Sequence, residues 1–204
     1  MAIIRAKPIR VKKEIAQHPH HELCLLAEQF LKNQKFGVVI RDGFKAVTNS
    51  GEQVDALGFR SGVSCLVEIK VSRSDFLQDK KKRFRAEPML GVGQWRFYLC
   101  PAGLINITDL PDGWGLLWLE NGKIKKIHGW PSNTRWCDAP FAQRYNYQAE
   151  AEIMYSALRR IEIQGQLGLI YDGLYGRCEL CNRQLNERHE IHPEHGKICL
   201  KSCG

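Results

Sequence analysis

Asp55, Glu68 and Lys70 are the residues of this chain whose types and spacing could do chemistry: two carboxylates able to share a divalent cation, with an ammonium beside them. Glu68 and Lys70 lie in the run Val63-Ser-Cys-Leu-Val-Glu-Ile-Lys-Val71. Alternation there puts Val63, Cys65, Val67, Ile69 and Val71 on one face of a strand and Glu68 with Lys70 on the other. A carboxylate beside an ammonium interrupts an otherwise apolar strand, and burying such charges costs several kcal/mol per ion before compensation. Packing alone gives no reason to accept that cost. Asp55 precedes the turn Ser61-Gly62, which is short enough to pair the two strands and bring Asp55 near Glu68. Two carboxylates on adjacent strands can hold a hard divalent cation such as Mg²⁺. The bland alternative is a salt bridge on an edge strand.

The elements that must position this trio are legible from hydrophobic periodicity. Leu23, Leu26, Ala27, Phe30 and Leu31 form an amphipathic stripe over His20 to Gln34, with Glu22 near the start of that helix. Strands are expected at Phe36 to Ile40, Gln53 to Phe59, Val63 to Val71 and Gln94 to Cys100. Two more, Gly115 to Glu120 and Lys123 to Ile127, flank the hairpin signal Asn121-Gly122. A second helix is expected over Ser74 to Arg85, with Ser72 and Ser74 as capping residues. A third, Gln148 to Gln164, carries the stripe Ile153, Met154, Ala157, Leu158 and Ile161, expected to pack into the core. This order implies an α/β fold with a mixed central sheet and helices on its faces. Residues 129 to 147 read as an irregular connection. His18, His20 and His21 read as surface residues.

The pattern Val54-Asp55, twelve residues, then Glu68-Ile69-Lys70 resembles the PD-(D/E)XK nuclease superfamily. Its context, with Glu68 to Lys80, Val92 to Pro101 and Gly113 to Leu117, is similar to the MmcB-type branch, bacterial proteins linked to DNA repair. The resemblance covers about residues 20 to 120, and Val54 stands where the superfamily's proline would be. It implies a restriction-endonuclease-like fold and a metal-dependent deoxyribonuclease acting in DNA repair, recombination or phage-related DNA processing. Asp55, Glu68 and the main-chain carbonyl of Ile69 would bind Mg²⁺ or Mn²⁺, Lys70 would orient water or stabilise the phosphate, and Glu22 would take the first-helix position. Lys80, Lys81, Lys82, Arg83 and Arg85 would contact phosphates; their alternative is a solvated helix face. Two other readings stay open: a DNA-binding adaptor that keeps the fold without cutting, and a zinc-dependent protein-interaction factor.

The formal charge of +8 favours a polyanionic partner, DNA in this reading. From Gly165 to Gly204 five basic residues balance five acidic ones, so the excess belongs wholly to residues 1 to 164. The chain therefore divides into an expected nuclease domain at 1–164 and a linker with a small module at 165–204. In the module, Cys178-Glu-Leu-Cys181 and Cys199-Leu-Lys-Ser-Cys203 are separated by seventeen residues, close to the spacing of a structural Zn²⁺ site. His189, His192 or His195 could replace one thiolate, and disulfides are the alternative. A homodimer, or a protein partner held by this module, is possible on the same reading. Cys24, Cys65 and Cys100 fall inside apolar elements and read as small core hydrophobes. No apolar run approaches the roughly 18 residues of a membrane span, and the start lacks a secretory signal. The expected compartment is the cytoplasm.

Overall fold

In the computed structural model, residues 19–132, 135–170, 177–181, 189–192 and 196–199 are described. The β-forming runs become β1 (Val38–Arg41), β2 (Ala56–Arg60), β3 (Val63–Ile69), β4 (Trp95–Pro101), β5 (Gly115–Glu120) and β6 (Lys123–His128). They form one six-stranded sheet in the order β1-β2-β3-β4-β5-β6. β3, β4 and β5 run parallel, while β1/β2, β2/β3 and β5/β6 are antiparallel. This is the general mixed arrangement expected of a restriction-endonuclease-like fold. The Asn121-Gly122 turn has positive φ at both residues, 49° and 71°, which a two-residue hairpin of this kind requires.

A helix covers each face of the sheet. On one face, α1 (Pro19–Asn33) buries Leu23, Cys24, Ala27 and Leu31 against Ala56, Cys65, Val67, Ile69, Phe97 and Leu99. Cys24, Cys65 and Cys100 are fully buried, as small core hydrophobes should be. On the other face, α2 (Arg73–Asp79) and α3 (Arg83–Ala86) lie in the crossover that joins the parallel strands β3 and β4. Phe76 of α2 meets the Tyr98 ring edge-on at 5.0 Å, which fixes α2 over β4.

The single helix expected over Ser74 to Arg85 is two short ones. Lys82 is extended, with φ −66° and ψ 138°, and interrupts the turn. The break has a physical reason: residues six apart on a continuous helix point about 240° apart. With the break, Asp79 and Arg85 both face inward and pair, Nε to Oδ2 at 2.9 Å. Ser72 caps α2 by accepting from the Asp75 N–H.

Two compact units meet between Ile153 and Met154, within α4 (Tyr147–Ile163). The expected apolar stripe of that helix is not core throughout: Ile153 is buried, but Met154, Leu158 and Ile161 are exposed. In the second unit, the 3₁₀ turn Leu167–Ile170 follows α4, and β7 (His189–His192) pairs with β8 (Gly196–Cys199) as an antiparallel hairpin. Among the described residues, no helix is long and apolar enough to cross a membrane.

Candidate functional site

The trio converges where β1 and β3 end and β2 begins. One residue beyond the Arg41↔Ala56 and Ala56↔Val67 pairs, the registers set Asp42 opposite Asp55 and Asp55 opposite Glu68. The Asp42 N–H donates to the Asp55 carbonyl at 2.9 Å, so the row holds past the formal strand end. β3 has neighbours on both sides, which removes the edge-strand salt bridge as an account of Glu68 and Lys70. Both are almost wholly buried, on the sheet face opposite Cys65, Val67 and Ile69.

Glu68 and Lys70 belong to a buried ion network. Lys70 Nζ lies 3.3 Å from Glu68 Oε2 and 3.4 Å from Asp79 Oδ1. Arg85 reaches three carboxylates at once: Glu68 at 2.8 Å, Asp79 at 2.9 Å, and Glu52. Glu52 also accepts from the Val92 N–H at 2.8 Å, and the Tyr98 hydroxyl donates to Asp79 at 3.0 Å. Three buried carboxylates thus share two buried cations, and one of the three cannot ionise cheaply. That one is Glu68. Burial, with the nearby Asp55 and Asp79, outweighs Arg85 and Lys70 and pushes its carboxyl up to about 7. Asp79 goes the other way: against the burial that raises it, Arg85 and Lys70 hold it well below the usual carboxylate range. Lys70 loses hydration by burial, yet Glu68 and Asp79 raise it above its ordinary value, so it stays an ammonium ion.

Asp55 stands at the edge of this network, with its side chain 16% exposed. One oxygen accepts from the Ile69 N–H at 2.8 Å, and the other lies 3.2 Å from His20 Nε2. Its hydrogen bond to the accepting Asp55 carboxylate, and then that with Cys24, push His20 up to about 10 despite partial burial. His20 is therefore no bystander. The first-helix residue at the carboxylates is His20, while Glu22 is half-buried and forms no ion pair among the described residues. The signal was present: His20 lies three residues before Leu23 and four before Cys24, on the inward stripe of α1.

Of the five basic residues after β3, Lys80, Lys81, Lys82 and Arg83 are exposed, but Arg85 is buried in the network and is not a surface phosphate contact. Lys82 also pairs with Asp79 at 2.8 Å. Sequence reasoning passed over Glu52, Asp79 and Tyr98. Asp79 sits three residues after the buried Phe76, on the same helix face, and that spacing could have marked it.

Asp55 and Glu68 offer carboxylate oxygens from adjacent strands, a donor type that could hold a hard divalent cation, and Glu68 Oε1 is buried without a hydrogen bond, facing Arg85 only as an ion pair. A second group could also hold a metal ion: His20, Cys24 and Asp42 each offer one ligand atom, all within 4.8 Å of one another. In the C-terminal unit Cys178 is buried, Cys181 is exposed and Cys199 ends β8. Cys203 and His195 lie outside the described residues.

No family model matches the chain, and no curated protein matches it. Among solved structures, a protein of unknown function from Silicibacter pomeroyi is similar, with 21% identity over 69% of this chain and 88% of that chain and a TM-score of 0.44.

Proposed function

We propose that this chain is a metal-dependent deoxyribonuclease of the PD-(D/E)XK type, akin to the MmcB-type branch, working in the cytoplasm on DNA during repair, recombination or phage-related processing. The observation that carries the reading is the burial of Glu68 and Lys70 side by side on an interior strand, in register with Asp55. A fold accepts such a cost readily where the charges perform chemistry. Asp55 and Glu68, with the Ile69 carbonyl, would hold Mg²⁺ or Mn²⁺, which when bound supplies a nucleophilic hydroxide and neutralises phosphate charge. Lys70 would act electrostatically, its ammonium stabilising negative charge growing on the phosphate oxygens or orienting the attacking water. Asp79 pairs with that ammonium, and the Tyr98 hydroxyl donates to Asp79. The exposed Lys80, Lys81, Lys82 and Arg83 border this face of the sheet as phosphate contacts. A structural Zn²⁺ on Cys178, Cys181, Cys199 and Cys203 would complete the C-terminal unit.

One observation favours a second reading, a DNA-binding fold that does not cut. Arg85 already sets a protein cation against Glu68, Asp79 and Glu52, which is part of the service a divalent ion would give.

A cleavage assay on labelled single-stranded, duplex and branched DNA with added Mg²⁺ or Mn²⁺ separates the two readings. Wild type should cut, and Glu68→Gln and Lys70→Met, each first shown to be folded, should not. If none of the three cuts while all bind DNA equally, the binding reading replaces the nuclease.

A further inference from the structure

We propose that His20, Cys24 and Asp42 form a zinc site, with Asp55 orienting the histidine from its far side. His20 and Cys24 stand one turn apart on α1 and face the same way. His20 Nδ1 and Cys24 Sγ are 3.6 Å apart. In a tetrahedral centre with Zn–S of about 2.3 Å and Zn–N of about 2.0–2.1 Å, the nitrogen and sulfur are themselves about 3.6 Å apart. Two donors therefore already stand at ligand spacing. Asp42, just past β1, brings a carboxylate oxygen to within 4.8 Å of both; it is exposed and able to close the remaining gap.

A histidine gives a metal one nitrogen, and the other needs a partner. His20 Nε2 lies 3.2 Å from Asp55 Oδ1, the arrangement by which a carboxylate fixes the tautomer and direction of a ligand imidazole. Thiolate and imidazole donors select zinc or a neighbouring first-row ion over Mg²⁺. The site is thus chemically distinct from the all-oxygen pair of Asp55 and Glu68, although Asp55 serves both. Three protein donors leave a fourth position for water or a substrate atom. Loading releases the Cys24 thiol proton and any proton on His20 Nδ1 to solvent, so it strengthens as pH rises.

The test uses the full chain, stripped of metal and titrated with Co²⁺ as a spectroscopic stand-in for zinc, reading stoichiometry and the thiolate-to-cobalt band. Cys178→Ser, made to silence any ion held by the C-terminal cysteines, should leave a one-thiolate signal. His20→Ala and Asp42→Ala, both at accessible positions, should each weaken that remaining ion at least tenfold with tryptophan emission unchanged. Cys24→Ser should remove its thiolate band, and Asp55→Asn should weaken it by about 10- to 100-fold. Glu68→Gln should leave it intact while stopping DNA cleavage, so failure of this site and failure of the nuclease reading are separately visible. The proposal is overturned if Cys178→Ser abolishes all cobalt binding, if His20→Ala changes nothing, or if Glu68→Gln removes the same ion.

Discussion

Replacing Arg85 by methionine tests the interior of the site most directly. Among the described residues, Arg85 is the cation that reaches Glu52, Glu68 and Asp79 together, and its side chain is essentially inaccessible. Taking one partner from a buried pair typically costs about 3–5 kcal/mol, because the remaining charge stays buried without compensation. For a chain of this size, about 1 kcal/mol moves the melting temperature by roughly 2–4 °C, so a fall of roughly 6–20 °C is expected. All five tryptophans, Trp95, Trp114, Trp118, Trp130 and Trp136, lie in the first compact unit. Urea unfolding followed by tryptophan emission therefore reports that unit alone. Exposed controls at Lys81→Ala and Arg83→Ala should shift stability by no more than about 0.5 kcal/mol. The buried network is refuted if Arg85→Met behaves like these controls, losing little stability and a similar increment of DNA affinity. Arg85 would then be a surface phosphate ligand, with no role in holding the three carboxylates.

Glu68→Gln should stabilise the metal-free protein increasingly as pH rises. The folded carboxyl sits at about 7, above its ordinary 4.5, so its stabilising contribution is full below about pH 4.5 and is lost as pH climbs through 7. The gain over wild type between pH 5 and pH 8 should approach roughly 2–3 kcal/mol by urea unfolding, and a flat difference across that range would contradict the raised carboxyl. Removing two of the exposed cations, as in Lys81→Ala with Arg83→Ala, should lower the salt slope of DNA binding by about 0.9 for each phosphate no longer neutralised, measured by anisotropy; an unchanged slope would mean that DNA lies elsewhere. Gly115→Ala should cost about 1–3 kcal/mol, since a Cβ there collides with the Phe97 ring and comes within 2.8 Å of the His128 carbonyl oxygen. Unaltered melting would show that β5 can shift away from β4.

The sequence carried the strands well because their periodicity is local. The face division of β3 was readable from alternation alone, and the Asn121-Gly122 hairpin from two residues. The helix break at Lys80 to Lys82 was not readable, because Asp79 and Arg85 look like ordinary surface charges until Glu52 and Glu68 are brought beside them. Glu52 and Arg85 are 33 residues apart, and no window-based pattern joins them. His20 was passed over for a different reason. With a proline among the three histidines and no matched cysteine or carboxylate spacing, it read as a surface residue, while its spacing to Leu23 and Cys24 placed it on the buried side of α1. The exposed stripe of α4 shows the converse, that helical periodicity of apolar residues does not ensure their burial.

The outer edge of β6 has a consequence for how copies of this chain can meet. Among the described residues no strand pairs with that edge, and Lys123, Lys125 and Lys126 are exposed along it. A second copy adding its own β6 there would set lysines against lysines across a backbone ladder, and strand-by-strand growth into fibres is opposed by that repulsion. Among the described residues, the charge along β6 thus opposes its use as a template for a second copy of the same strand.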